Sequence, residues 1–327
     1  MKLLKLISVI IMLATMSGCG GKQSNDELII IDVTKSYAFK DFFLQDICDV
    51  EYVVLESADE FLCIGAVQSV TKDYIIVRNA ADRNAVLIFD RHTGKALHKI
   101  SRQGGGPQEY LTPLNAIYDE DRNELFIHDH FSRVILVYDI EGNFKRRFSY
   151  RGNASYQYMY DYDRDHLFCS NWGRFDTREM PEPEFDIVSK QDGSIVSRIE
   201  MPIAEVPNLK TIDGAQTGPD RHISLFPSIN QFIITDISID TVYRYFPDLG
   251  LIPFIVRTPP FQSIDPPVFL LPQFITERYY FLRTEKLIPM YVKDPRSLPA
   301  KHLVYDTKEK AVTDYIMQIY PLKRKLN

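Results

Sequence analysis

Short hydrophobic segments of about five or six residues recur along this chain, and turns rich in Asp, Asn and Gly separate them. In three successive units the order is the same: apolar segments, a turn that contains glycine, and a further strand-like segment. The turn glycines Gly94, Gly142 and Gly193 lie about 50 residues apart. Glycine allows the positive φ of a tight hairpin turn, so each unit predicts a set of antiparallel strands.

Two fainter units follow the first three, and together the five units extend from residue 65 to residue 317. The three clear units contain these predicted strands: 74–78, 85–90 and 95–100; 124–128, 134–139 and 143–148; 166–169, 185–189 and 194–199. The fainter units contain these: 223–226, 231–236, 241–246 and 252–257; 268–275, 278–283, 302–306 and 312–316. Four strands in a period of about 50 residues are typical of a β-propeller blade. A β-sandwich or two small barrels are the alternatives.

Three motifs carry a resemblance to a known family: Val50-Glu-Tyr-Val-Val-Leu-Glu56, Val86-Leu-Ile-Phe-Asp90 and Gly104-Gly-Gly-Pro-Gln-Glu-Tyr110. The chain resembles the six-bladed β-propeller lipoproteins of Gram-negative bacteria, within the broader NHL/TolB-like propeller group. The likeness extends over about residues 28 to 320 and implies a secreted, membrane-anchored propeller, mostly without an assigned activity.

Five units are one fewer than six blades require. We therefore predict an all-β propeller of five complete four-stranded blades and an incomplete sixth blade. In this prediction residues 28–33 and 50–56 pair near residues 315–322, so that N- and C-terminal strands close the ring.

The N-terminus has the features of an export signal. Lys2 and Lys5 precede an apolar run that is too short to span a membrane as a mature helix. The small residues before Cys19 resemble a lipobox, in which this cysteine is acylated and becomes the new N-terminus; an ordinary secretory signal is the alternative. We predict a lipoprotein signal peptide at 1–18, a flexible tether at 19–27 and one propeller domain at 28–327. Gly20 after the cysteine predicts lipid anchoring, with palmitate-type acyl chains, at the outer membrane.

The net charge bears on the class of binding partner, and the cysteine count bears on disulfide bonding. The net charge of −6 argues against nucleic acid, which would favour a basic face. If Cys19 is acylated, Cys48, Cys63 and Cys169 remain, and an odd number gives no disulfide framework. A Cys48–Cys63 bridge is one alternative, and single buried thiols are the other.

Two Gly- or Asp-rich stretches have the composition of ligand loops. The stretch Ser101–Tyr110 is neither followed by a helix nor by the Lys-Ser/Thr pair of a phosphate loop, so we interpret it as a crossover between blades in which Glu109 accepts backbone N–H groups. The pattern D-x-D-R-x-x-L-F occurs at 119–126 and at 161–168. Three aspartates in the second copy would suit calcium, but the glycine and glutamate of a complete calcium loop are missing. We therefore interpret the two copies of this pattern, at 119–126 and 161–168, as turns between the first and second strands of a blade.

A third stretch, His128-Asp129-His130, resembles a metal site. On a strand the two histidines share one face, and a divalent metal such as zinc would need a further ligand, for example His166 or His222. The alternative is a set of polar residues at a strand end. Trp172 could stack on a sugar or pack in the core.

No arrangement of catalytic residues stands out in the chain. The first functional hypothesis is therefore a non-enzymatic binding module, without a cofactor, for a glycan, a peptide or a partner protein. Its rival is a metal-dependent enzyme of the lactonase or lyase type, with its site in the central channel. Three or four of His128, Asp129, His130, His166, His222 and Asp236 within ligand distance on the axis would favour the enzyme, and scattered positions would favour the binding module.

Overall fold

The computed structural model describes residues 28–79, 82, 85–150, 156–171, 184–202, 223–228, 231–236, 239–264, 268–286 and 300–320. These residues form 22 β-strands, a single short helix and two 3₁₀ turns. The helix, α1, is Leu44–Ile47, and the 3₁₀ turns are Asp59–Phe61 and Phe261–Ser263. Within the described residues, no helix has the length and hydrophobicity that crossing a membrane would require.

Twenty of the strands form five antiparallel four-stranded sheets, in which consecutive strands are neighbours. This arrangement confirms the predicted propeller of four-stranded blades. The first blade contains β3 (Gly65–Val70), β4 (Tyr74–Asn79), β5 (Ala85–Asp90) and β6 (Ala96–Ser101). The second contains β7 (Pro113–Asp119), β8 (Glu124–Asp129), β9 (Val134–Tyr138) and β10 (Phe144–Ser149).

The third blade contains β11 (Tyr156–Asp161), β12 (His166–Asn171), β13 (Glu184–Ser189) and β14 (Ile195–Glu200). The fourth contains β15 (Ile223–Ser228), β16 (Gln231–Asp236), β17 (Thr241–Phe246) and β18 (Gly250–Thr258). The fifth contains β19 (Val268–Ile275), β20 (Tyr279–Lys286), β21 (Lys301–Asp306) and β22 (Ala311–Gln318). The strands that the five sequence units predict agree with these bounds to within about three residues, whereas β3, β7 and β11 were not among them.

The two N-terminal strands extend existing blades. Strand β1 (Ile29–Asp32) pairs in parallel with β18, and β2 (Phe39–Phe43) pairs in parallel with β22. Each therefore becomes the fifth strand of its sheet. We call residues 28–64, which include both strands, the N-terminal strap.

The prediction of six blades, the sixth incomplete, is wrong, because the described residues form five sheets. Residues 28–33 lie on the fourth blade, while residues 50–56 form no strand. They lie beside the first blade, where the Glu56 backbone N–H donates to the Gly94 carbonyl at 2.8 Å. The N-terminal strap thus crosses the outer edges of the fourth, fifth and first blades in turn.

Apolar side chains between neighbouring blades form the core. One cluster of buried residues joins each consecutive pair of blades from the first to the fifth. The middle strands have blades packed against both faces, which explains why β5, β8 and β9 are almost continuously buried. Strand β1 adds Ile29 and Ile31 to the cluster between the fourth and fifth blades.

The join between the fifth and first blades differs from the other four. The apolar cluster on this side of the first blade contains Val53 and Leu55 of the strap, and the cluster on the fifth blade contains Phe42. None of the core clusters of described residues includes strands of both blades. Val67, which pairs with Val77 on this side of the first blade, is 56% exposed. The strap therefore covers the outer part of this join, while part of the innermost strand of the first blade is left exposed.

The Gly-rich stretch connects β6 to β7 without a helix, so it is the predicted crossover between blades. The Glu109 carboxylate accepts the backbone N–H of Gly106 at 2.8 Å, as the sequence suggested. Both D-x-D-R patterns are turns between first and second strands, again as predicted. Cys48, Cys63 and Cys169 are free thiols.

Candidate functional site

The first strands of four blades meet at one end of the ring, where they enclose a cavity of about 490 Å³. The first strand of a propeller blade is the innermost, so this cavity is the mouth of the central channel. We call it the channel-end pocket. Its lining comes from the C-terminal ends of β3, β7 and β11 with the turns that follow, and from β15: Gln68, Ser69, Val70, Thr71, Ile117, Tyr118, Asp119, Glu120, Asp121, Met159, Tyr160, Asp161 and Pro227.

A buried lysine lies directly behind this lining. The Lys190 ammonium donates to Asp119 Oδ2 at 2.5 Å and forms an ion pair with Asp161 Oδ1 at 2.6 Å. Only 1% of the Lys190 side chain is exposed. The ammonium also lies 5.8 Å from the centre of the Phe126 ring, within range of a cation–π interaction. Two carboxylates and an aromatic face thus compensate the desolvation of the ammonium.

Local hairpin geometry places Lys190 there. The turn between β13 and β14 packs against the turn between β11 and β12, and the Lys190 backbone N–H donates to the Asp165 carbonyl at 2.9 Å. Asp119 belongs to the second blade and Asp161 to the third. Lys190 itself follows β13 of the third blade, so its ion pair with Asp119 crosses the join between the two blades, while its ion pair with Asp161 lies within the third blade.

A second set of charges strengthens the same join. The Arg146 guanidinium donates to both carboxylate oxygens of Glu124, at 2.5 and 2.7 Å, and its Nη2 also donates to the Lys190 carbonyl at 2.7 Å. Arg122 bridges Glu124 and Asp165. A bidentate guanidinium–carboxylate pair has a defined geometry, so this network fixes how the two blades meet.

The surroundings of the lining residue Asp161 act on the pKa of its carboxyl in both directions. Its burial raises the pKa of the carboxyl, the hydrogen bond and charge of Lys190 oppose this rise, and Asp119 and Asp163 add to it. The net direction is upward. Even so, 46% of the side chain is exposed, and Lys190 occupies only Oδ1 among the described contacts.

The predicted His-Asp-His cluster lies at the opposite end of the second blade. In the register of β7 and β8, Asp119 lies opposite Glu124 at the pocket end, and Pro113 lies opposite Asp129 at the other end. His128 is fully buried, with Asn115 Nδ2 at 3.2 Å from its Nδ1 and the Tyr150 hydroxyl at 3.3 Å from its Nε2. Burial lowers the pKa of His128 to about 3.

The other two members of the cluster also have protein partners. The Asp129 carboxylate accepts the Leu111 N–H and the Ser132 hydroxyl, both at 2.7 Å. His130 Nδ1 lies 3.0 Å from the Tyr156 carbonyl oxygen. The histidine rings are 5.9 Å apart, centre to centre. These contacts are those of a structural polar network at a strand end.

The structure does not bring His166 or Asp236 to this cluster. His166 begins β12 at the pocket end, where its Nδ1 lies 2.9 Å from Asp163. Asp236 ends β16 on the fourth blade and is buried. Cys19, Trp172 and His222 lie outside the described residues. Across the part of the chain that the structure describes, no three His, Cys, Asp or Glu residues are grouped as metal ligands. The metal site and the sugar-stacking role of Trp172 stay predictions.

Comparison with protein families gives a match over residues 28–257, more than half of the chain, to a domain of unknown function, DUF4934. The chain belongs to the DUF4934 family. A comparison with curated proteins found no match.

Comparison with solved structures found proteins whose fold is similar to that of this DUF4934 protein. A Bacteroides fragilis protein whose name describes it as exported matches with a TM-score of 0.58 and 14% identity, over 88% of this chain and 80% of that chain. A DUF4221 family member from Bacteroides vulgatus gives a TM-score of 0.49 and 12% identity, over 80% of this chain and 85% of that chain. At such identities the first likeness supports the fold alone.

Sequence reasoning missed the channel-end pocket of this DUF4934 protein, although the repeats contained a signal. When the units are aligned at their turn glycines, Lys190 and Arg91 occupy the same position of the repeat, one residue after the third strand of their blades. Arg91 also contacts the turn between the first two strands of its own blade, where its Nη1 donates to the Thr71 carbonyl at 2.9 Å. A basic residue at this position of a blade therefore indicates a partner in that turn.

Proposed function

We propose that this DUF4934 protein is an exported, lipid-anchored binding module that holds its ligand in the channel-end pocket. The observation that carries the proposal is the cavity of about 490 Å³ where the innermost strands of four blades meet. Ligand pockets commonly have about 300–1,000 Å³ and occur at the mouths of closed β structures. Side chains from several blades reach this cavity, which allows one ligand to be contacted from several sides.

The lining suits binding and orientation. Apolar side chains of Val70, Ile117 and Met159 stand beside the carboxylates of Asp119 and Asp161. Within the described lining, Asp119 already has a partner in Lys190, and the pair is held between two blades. Such a pre-formed wall loses little conformational entropy when a ligand binds.

Binding to the pocket can be tested with peptide and glycan arrays. We expect the protein to retain a defined set of array members and Val70→Trp to lose them, because an indole would fill the pocket. Val196→Trp is the matched control, since both valines lie on strands and are 55% and 57% exposed. Equal retention by both variants would place the ligand elsewhere, and no retained member in the wild-type protein would contradict the proposal.

Export and anchoring rest on the N-terminal sequence, and the name of the exported fold relative is consistent with export. We expect Cys19→Ala to release the protein from the outer membrane or to block its processing, because the acyl chains would be missing. Metabolic labelling with a fatty-acid analogue tests this directly. Label on the Cys19→Ala protein would contradict acylation at this residue.

A further inference from the structure

The channel-end pocket combines two chemical environments. One wall is apolar and includes Val70, Ile117 and Met159. The lining also contains four carboxylates, at and beyond the ends of the same strands: Asp119, Glu120, Asp121 and Asp161. Among the described residues that form the lining, none is a lysine, arginine or histidine. A ligand that fits both parts therefore has an apolar stem and a positively charged end.

The basic groups near the pocket include Lys190, Arg122 and Lys72, whose positive charge lowers the pKa of Glu120. Lys190 reaches Asp119 and Asp161 from behind the lining, and Arg122 pairs with Glu124 and Asp165. The two ammonium groups of Lys190 and Lys72 compensate part of the charge of the four carboxylates. The part of the lining that faces a ligand thus keeps an excess of negative charge.

Lys190 also demonstrates which group these carboxylates accept. Its ammonium lies between Asp119 and Asp161, at 2.5 and 2.6 Å from one oxygen of each. Asp161 lines the cavity with 46% of its side chain exposed, and its described ion pair uses Oδ1. Asp121 is exposed and has no described hydrogen bond or ion pair. These two carboxylates can accept donors from a ligand.

The aromatic residues of the lining do not offer a free face for a sugar. Tyr118 is buried and packs edge-to-face against Tyr74, with ring centres 5.5 Å apart. Tyr160 packs against the apolar cluster between the third and fourth blades. Sugar recognition by stacking would need an exposed ring, so the described lining favours a charged, flexible side chain over a glycan.

We propose that the channel-end pocket binds a lysine or arginine side chain of a peptide segment. In this arrangement Asp161 and Asp121 accept the donors of the cationic group, while Val70 and Met159 contact its aliphatic stem. This inference names the ligand class of the binding site and rests on the proposed function. A cavity of about 490 Å³ has room for a long basic side chain together with the backbone that carries it.

Methionine methyl NMR can test the inference, because Met159 lines the pocket and Met201 and Met317 lie on other parts of the blades. The purified protein, labelled with carbon-13 at its methionine methyls, is titrated with Ac-Gly-Lys-Gly-amide and with the same peptide carrying norleucine. Norleucine keeps the stem and lacks the ammonium. We expect the lysine peptide to shift the Met159 signal and to bind about tenfold more tightly, since charge-assisted hydrogen bonds are lost with norleucine.

Variants assign the contacts. We expect Asp161→Asn and Asp121→Asn each to weaken the lysine peptide severalfold, and Asp248→Asn, an exposed aspartate on a turn of the fourth blade, to leave it unchanged. Asp121→Asn removes no described contact, so it reports on binding even if Asp161→Asn perturbs Lys190. 1-Aminopentane carries the same ammonium without a peptide, and an affinity equal to that of the lysine peptide would overturn the peptide assignment.

The outcomes separate this inference from the proposed function. Equal binding of the two peptides at Met159 would overturn the cationic class but support the pocket. A glycan from the array that shifts Met159, with neither peptide doing so, would overturn the inference and keep the function. Array ligands that leave Met159 unmoved would count against both.

Discussion

Lys190 illustrates how one buried charge can stabilise the contact between two blades. Its ammonium is almost fully removed from water and depends on Asp119 and Asp161. Lys190→Met removes this partner and leaves Asp119 buried without a counter-charge. We expect the free energy of unfolding to fall by about 3–5 kcal/mol, measured by chemical denaturation.

Two further variants check that explanation. Lys145→Met removes a half-buried lysine 3.7 Å from Glu124 and should change the free energy of unfolding by less than about 1 kcal/mol. Adding Asp119→Leu to Lys190→Met should recover much of the loss, because no unpaired buried charge then remains at this position. A loss below about 1 kcal/mol for Lys190→Met alone would show that the ion pairs contribute little.

His128 makes stability depend on pH in a defined direction. Its folded pKa of about 3 lies below the value of about 6.5 of an unfolded chain, so the unfolded state takes up the proton first as pH falls. From this residue, stability is therefore highest above about pH 6.5 and decreases towards pH 3. Between pH 7 and pH 5 we expect wild-type protein to lose about 2 kcal/mol more than His128→Gln, measured by urea unfolding. Parallel pH profiles of the two proteins would contradict this account.

At the residue scale, sequence reasoning identified local contacts and missed distant ones. The role of Glu109 could be predicted because its partner Gly106 is three residues away in the same turn. The polar network of His128 could not, since Asn115 lies on β7 and Tyr150 directly follows β10. Asp119 and Lys190, which are 71 residues apart in sequence, meet only when two blades pack together.

At the scale of elements, the N-terminal strap depends on a glycine in the first blade. Gly94 has a φ of +71°, and a Cβ there would lie 2.0 Å from the Val54 carbonyl oxygen. Gly250 has a similar φ of +73° but open space around it. Gly250→Ala should therefore cost only the backbone strain of about 1–2 kcal/mol, whereas Gly94→Ala should cost more and displace residues 53–56.

Hydrogen exchange with denaturant unfolding can separate the two effects. We expect faster exchange of the Glu56 amide in Gly94→Ala than in Gly250→Ala, because this N–H bonds the Gly94 carbonyl. If both variants had equal free energies of unfolding and equal exchange rates of the Glu56 amide, the close contact between the strap and the Gly94 turn would not contribute to stability.

The elements inside each blade could be predicted because their signals are local. Alternating apolar segments and a turn glycine define a hairpin within about 15 residues. The N-terminal strands carry no such signal for their partners. Strand β1 pairs in parallel with residues more than 220 positions away, at Ile255–Thr258, and no turn links the two. The wrong sixth blade followed from the resemblance to six-bladed propellers, which led us to pair residues 28–33 and 50–56 near residues 315–322 as an additional sheet.

At the scale of the whole molecule, the five blades form a ring. At four of the joins, an apolar cluster contains residues of both neighbouring blades. The fifth join is covered by the N-terminal strap on its outer side. Strands of the fourth and fifth blades pair with the strap, so it links the end of the ring to the first blade. The ring in turn brings the ends of β3, β7, β11 and β15 together around the channel-end pocket.

The central claim is that this pocket, at one end of the channel, is where the protein binds its ligand. A crystal structure with an array-selected ligand tests the claim most directly. We predict ligand density in contact with Val70, Met159 and Asp161, between the first three blades. Density at the opposite end beside His128 and His130, or on the outer edges of the blades, would contradict it.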